Sequence, residues 1–381
     1  MFEFEQGPIR PPSEARSLLI RATRNCPWNR CEFCHIYKGQ KFQIRSVEEI
    51  KQDIQKARDI ADEIREVSWH HGYGGAVNDE VLRTIYNQYP AYGESHRSVA
   101  YWLYFGGIQA FIQDASSIVM KTEDLVAVLA FLREKFPQIS RITSYARSKN
   151  LAKKTVEELK ALHTAGLSRI HVGLETGCDP LLSYIKKGVT AKEHVEAGKK
   201  VVESGISLSE YVMPGLGGKR WTQEHAIETA RVLNQINPHY IRLRTLCVRA
   251  DMPLYEKVQS GEMELLDDDS IVREVRLFIE HLSGIQSYLA SDHILNLLEE
   301  LEGRLSRDKG KLLAIIDRYL SLPNSERLIF KVGRRAGLYH RLEDLQDVEG
   351  RLKVEQAICR LEEQGAGKIE ETIKSIMAHY I

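Results

Sequence analysis

Six times in succession, an apolar stretch of strand length begins a new unit of this chain. Residues 17–22, 108–112, 139–143, 167–174, 206–213 and 240–246 are the short runs suited to buried strands. Helical signals follow the first five. They run from the capping box Ser46-x-x-Glu49 to about residue 65, from Thr122 to about residue 136, and from Thr155-x-x-Glu158 to Gly166. Two more run from Thr190-x-x-Glu193 to Gly205 and from Thr222 to Pro238. A strand that returns through a crossover helix runs parallel to its predecessor, so the class is α/β with a parallel sheet. A barrel and an open doubly wound sheet both satisfy this pattern. The residues that carry chemistry favour a barrel, complete or partial, because they fall after the strands' C-terminal ends. They are a cysteine loop, Gln113-Asp114, Ser144-Tyr145-Ala146-Arg147, Glu175 and Pro214-Gly215-Leu216-Gly217-Gly218.

Residues 1–15, with Pro8, Pro11 and Pro12, read as an extended arm, residues 16–290 as the α/β body, and residues 291–381 as a helical C-terminal domain. An insertion at 66–107 holds Trp69-His70-His71-Gly72-Tyr73 and Tyr101-Trp102-Leu103-Tyr104-Phe105. Two helices packing aromatic faces account for it, and a lid or pocket wall is the alternative. Asp292 and His293 follow the apolar run 286–290, where they either cap a further strand and face the site or form a helix N-cap. With 43% hydrophobic and 28% charged residues, a substantial core is expected and disorder is not. Lys plus Arg and Asp plus Glu are both 53, so no global charge draws the chain to nucleic acid or an anionic membrane. Lys186-Lys187 and Lys199-Lys200 read as solvated helix faces. No apolar run approaches the ~18 residues of a membrane span. The acidic start Glu3-Phe4-Glu5 does not read as a signal peptide, and a cytoplasmic location is expected.

Cys26-Pro27-Trp28-Asn29-Arg30-Cys31-Glu32-Phe33-Cys34 puts three of the six cysteines within nine positions. Clustered thiolates are a soft ligand set that selects zinc or iron–sulfur chemistry. Four readings compete. Cys31-Glu32-Phe33-Cys34-His35 matches a haem-attachment pattern, which requires export. A zinc site needs a fourth ligand, and His35 is badly placed beside Cys34. The C-x4-C-x2-C spacing is that of plant-type ferredoxins, whose fourth cysteine would have to be the distant Cys178. The last is a four-iron cluster held by three cysteines, with one iron open to a small molecule.

That last arrangement resembles the radical S-adenosylmethionine (SAM) superfamily, with Phe33 before the third cysteine as in its usual pattern. The family's common spacing is three residues and then two, and this chain has four and then two. The resemblance extends over roughly residues 16–250 and is nearest the branch of the oxygen-independent coproporphyrinogen oxidases and elongator-like enzymes. It implies a partial (β/α)6 barrel of TIM type with a mainly helical C-terminal extension. It also implies a [4Fe-4S] cluster on Cys26, Cys31 and Cys34, with SAM bound at the open iron. One electron then cleaves SAM to methionine and a 5′-deoxyadenosyl radical, which takes a hydrogen atom from a substrate.

By the same resemblance Phe33 packs near the adenine, and Glu175 meets the ribose or the amine of SAM. Gln113-Asp114-Ala115 stands where the family often has Gly-Gly-Glu, with Asp114 the better acceptor for the methionyl amine. Ser144 and the turn at Gly215 lie where the cosubstrate binds. Arg147, Arg242 and Arg244 sit where a carboxylate of SAM or substrate could be clamped. For Arg242 and Arg244 a structural ion pair is the alternative. The implied partners are a flavodoxin or ferredoxin reductant and a small-molecule substrate. Cys178, Cys247 and Cys359 are isolated, so an auxiliary cluster is not expected. A non-catalytic electron carrier or maturation chaperone and an RNA-modifying enzyme are the rivals.

Overall fold

The computed structural model describes residues 3–88 and 92–378. The chain divides into two compact units, Met1–Asn29 with Ile36–Val172 and Lys200–Leu208, and Arg30–His35 with Gly173–Lys199 and Ser209–Ile381.

In the first unit β1 (Leu18–Arg21), β4 (Gln109–Gln113), β5 (Arg141–Ala146) and the start of β6 (Leu167–Glu175) lie side by side in that order, all parallel. Between β1 and β4 in sequence, β2 (Thr23–Arg24) and β3 (Gln43–Ile44) pair antiparallel, and the segment joining them carries the clustered cysteines. Strands covered on both faces need continuous apolar runs, and β1 and β4 supply them with Leu18, Leu19, Ile20, Ala110, Phe111 and Ile112, all buried. Helix Val47–His70 opens on the expected Ser46–Glu49 capping box and buries Ile50, Ile54, Ala57, Ile60, Ala61 and Ile64, a stripe at helical spacing. It outruns its expected end because no breaker intervenes before Gly72. Helices Asp79–Asn87 and Glu94–Tyr104 occupy the insertion, and buried Trp102 donates its Nε1–H to Gln109 O at 2.8 Å. β5 begins two residues later than the predicted run, since Ile139 closes a turn by donating its N–H to Phe136 O at 3.0 Å.

In the second unit the end of β7 (Ser207–Val212), β8 (Tyr240–Leu243) and β9 (Tyr288–Ala290) run parallel in that order, and β10 (Gly303–Arg304) adds antiparallel to β9. β8 stops short of the predicted residue 246 because the Thr245 N–H turns to Asn296 Oδ1 at 2.9 Å. β9 realises the strand that the run at 286–290 allowed. Helices Leu305–Ser321, Asn324–Arg335, Val348–Glu363 and Lys368–Ala378 follow β10. In neither unit does strand order reverse, as it does at the switch point of a doubly wound sheet. The fold is mixed α/β with a mostly parallel sheet wound in one sense. Among the described residues no helix is long and apolar enough to cross a membrane.

Candidate functional site

In the first unit the start of the cysteine loop is tied to the C-terminal end of β4. Asn25 donates its backbone N–H to Asp114 Oδ2 at 3.0 Å, and its side chain donates to Lys41 O at 2.7 Å. The Asn29 N–H reaches Cys26 Sγ at 3.4 Å. Asp114 is fully buried, and its carboxylate is occupied by the chain's own donors. Arg21 approaches to 2.6 Å, and the Tyr37 hydroxyl donates to Oδ1 at 2.8 Å. The resemblance gives Asp114 to a methionyl amine, and in the structure its carboxylate accepts from Asn25, Arg21 and Tyr37. Gln113 is held by the N-terminal arm, with its Nε2 donating to Ile9 O at 2.9 Å and its Oε1 accepting the Gly7 N–H at 2.8 Å. The Ser144 hydroxyl is spent on Ile112 O at 3.2 Å. Arg147 lies over the ring of Trp28, inside the cysteine loop, at 5.3 Å.

In the second unit the other end of the loop is anchored by Glu32, whose N–H donates to Ile185 O and whose carbonyl accepts the Leu254 N–H, both at 2.9 Å. Phe33 packs against buried Cys178, Leu181, Ile185 and Leu216. On its ring, at 5.3 Å, stands the ammonium of Lys187. Lys187 in turn donates to Glu175 Oε1 at 2.8 Å. Lys187 is therefore no solvated helix face. It lies in the segment after helix Asp179–Tyr184, buried, in a cation–π contact and an ion pair.

Glu175 closes β6 with φ +63°, a left-handed conformation that costs a non-glycine residue about 1 kcal/mol or more. Gly173 makes room for the pair: a Cβ there would stand 2.2 Å from Glu175 Oε1 and 3.0 Å from Lys187 Nζ. Facing them on β7 is Glu210, 1% exposed, with Oε2 lacking any hydrogen-bond partner among the described residues. Burial, and then the negative charge of Glu175, push the Glu210 carboxyl well above the usual carboxylate range, against the pull of Lys187. Neither Lys187 nor Glu210 was singled out from sequence. The available signal was a carboxylate at Leu208-Ser209-Glu210, in a strand otherwise apolar enough to be covered on both faces.

The Gly215 N–H, in the turn assigned to the cosubstrate by resemblance, donates to Glu274 Oε1 at 2.7 Å. Arg242 forms an ion pair with Asp292, the structural alternative named for it. Arg244 is half-buried at the end of β8.

All six cysteines are outside disulfides, and Cys26, Cys31 and Cys34 are half-buried. Among the described residues no three His, Cys, Asp or Glu side chains already stand in a metal-holding arrangement. The three thiols fit an iron–sulfur group by donor type.

No family model matches the chain. Among curated proteins it is 25% identical over 186 residues to the haem chaperone HemW of Bacillus subtilis, which covers 48% of each chain. It is 27% identical over 114 residues to an uncharacterized protein of Methanocaldococcus jannaschii, covering 30% of this chain and 35% of that one. With the tRNA uridine(34) acetyltransferase of the same archaeon it shares 23% over 107 residues, covering 28% and 20%. The matched stretches thus span about half or less of these relatives. Similar solved structures include the radical SAM coproporphyrinogen III oxidase HemN of Escherichia coli, at 14% identity, 66% and 50% coverage and TM-score 0.41. The cobalamin-dependent SAM radical enzyme OxsB covers 97% of this chain and 59% of its own, at 13% identity and TM-score 0.46.

Proposed function

We propose that the chain is a radical SAM enzyme that acts on a small organic substrate. In this proposal Cys26, Cys31 and Cys34 hold a [4Fe-4S] cluster and residues 16–290 form the catalytic part. The observation that carries the proposal is the buried Glu175–Lys187–Glu210 group beside Phe33, in the same unit as Cys31 and Cys34. The methionyl end of SAM presents one ammonium and one carboxylate, and the Glu175–Lys187 pair presents the complementary charges. When bound, the cluster supplies the electron for reductive cleavage of SAM. Glu175 would accept from the ammonium or a ribose hydroxyl and Lys187 would hold the carboxylate. Phe33 would give the adenine an apolar wall, and Glu210, carrying its proton, would donate a hydrogen bond. The reductant is of flavodoxin or ferredoxin type.

Anaerobically reconstituted, reduced protein with SAM should release 5′-deoxyadenosine, more slowly in Lys187→Met and Glu175→Gln with iron content unchanged. No release from the wild type refutes the proposal. The similarity to a haem chaperone favours a second, non-catalytic reading, which saturable haem binding without 5′-deoxyadenosine release would support. Action on tRNA has less behind it, since 53 basic residues are matched by 53 acidic ones.

A further inference from the structure

In the second unit one buried histidine ties the end of β6, just past Glu175, to the end of β7. His225 lies on helix Gly218–Ile236 and is 2% exposed. Its Nε2 stands 3.1 Å from Met213 O, immediately after β7. Its Nδ1 stands 2.8 Å from the hydroxyl of Thr176, the residue that follows Glu175. A carbonyl only accepts, so Nε2 carries a proton, and in the neutral imidazole Nδ1 accepts from Thr176. The Thr176 hydroxyl accepts the Cys178 N–H in turn, at 3.1 Å. Donor and acceptor therefore alternate without conflict from Cys178, through Thr176 and the ring, to Met213. A buried imidazole is costly unless both nitrogens are satisfied, and here the two strand ends satisfy them.

Glu175 is the residue between these ties. A left-handed backbone at a non-glycine residue persists only where its surroundings over-determine it. The Met213 N–H donates to Glu175 O at 3.0 Å, and His225 holds the carbonyl of the same Met213. The Gly177 N–H donates at 2.8 Å to Thr229 Oγ1, one helical turn beyond His225 and 3.4 Å from its Nδ1. Glu274, buried on helix Asp268–His281, adds a tie to the turn after β7. Its carboxylate accepts from the Gly215 N–H at 2.7 Å and from the Thr222 hydroxyl at 2.6 Å, and lies 3.6 Å from His225 Nε2.

We propose that His225 is a positioning residue for the cosubstrate. Acting through Thr176 and Met213, it sets the end of β6 against the end of β7 and turns Glu175 toward Lys187 before SAM arrives. A site held in its binding conformation in advance binds more tightly, because less ordering is left to the ligand. This deepens the enzyme reading above and rests on its placing of SAM at the Glu175–Lys187 pair.

The test is equilibrium dialysis of SAM against the full-length, cluster-reconstituted protein, with urea denaturation and 5′-deoxyadenosine release measured alongside. Thr176→Val keeps the shape of the side chain and removes the closer hydroxyl from His225 Nδ1. It should bind SAM about tenfold more weakly, as expected for one lost buried hydrogen bond, and the loss should fall on KM for SAM more than on kcat. Thr176→Ser, which keeps the hydroxyl, should recover most of the affinity. Should Thr176→Val fail to fold, His225→Gln makes the same test, because it keeps a donor near Met213 O and loses the Nδ1 acceptor. A lower unfolding midpoint with unchanged SAM affinity of the folded variant means that the bond is only structural, and overturns the proposal. An equal loss of affinity in Thr176→Ser places the effect in packing and also overturns it. The tenfold loss in a protein whose wild type binds SAM and releases no 5′-deoxyadenosine supports the positioning role while refuting the enzyme reading. Release by a wild type that binds SAM no better than the variants overturns the positioning role alone, and a wild type that binds no SAM overturns both.

Discussion

Replacing Glu210 with Gln should stabilise the protein, and by an amount that grows with pH. The carboxyl is buried, leaves Oε2 without a partner, and stands near the negative charge of Glu175. Its folded pKa is therefore raised above the unfolded value. The folded chain then binds more protons than the unfolded chain in the window that starts near pH 4.5 and ends at the folded pKa. Stability is present in full below that window and falls as pH rises through it, by about 1.4 kcal/mol per pH unit for one group. Gln has the same shape and no charge to desolvate, so the variant escapes the fall. Urea denaturation at pH 5 and pH 6 should give a variant-minus-wild-type difference that is larger by about 1.4 kcal/mol at the higher pH. A difference that stays constant between those pH values would mean that Glu210 ionises normally, and the reasoning would be refuted.

Asp114→Asn should destabilise the protein by about 3 kcal/mol in urea denaturation, because it leaves Arg21 beside a buried site without its closest counter-charge; a loss under about 1 kcal/mol would contradict the pairing. His293 should titrate near pH 4 by NMR, with its folded pKa below the unfolded value. Its contribution to stability is then complete above pH 6.5 and lost as pH falls through 4, and His293→Gln should flatten that window, so a midpoint near 6.5 sinks the account of its burial. Gly173→Ala should push Glu175 off Lys187 and weaken SAM binding, since the new Cβ would stand 2.2 Å from Oε1; unchanged affinity in a folded variant would remove the pair from the site.

The elements that sequence revealed best are those set by local chemistry. The Ser46 and Thr155 capping boxes form as expected, and at Thr190 the Glu193 N–H donates back to the hydroxyl at 3.2 Å. Continuous apolar runs located the parallel strands because burial on both faces leaves no alternation to misread. Less legible was which charges each strand end keeps for itself. Asp114 and Arg242 have the right type and position for ligands, yet Arg21 and Asp292, 93 and 50 residues away, claim them. Sequence spacing carries no information about such partners. Lys187 was hidden for the opposite reason. Next to exposed Lys186 it looks like a solvated pair, and only the fold shows that one of the two turns inward to Glu175.

The central claim is that Cys26, Cys31 and Cys34 hold one cluster, and iron and sulfide counted per chain after anaerobic reconstitution tests it most directly. The account predicts about four of each in the wild type. The same count is expected in the combined Cys178→Ala, Cys247→Ala, Cys359→Ala variant, with loss of both in Cys31→Ala. A four-iron spectrum that survives Cys31→Ala, or about eight irons that halve in the combined variant, would contradict it.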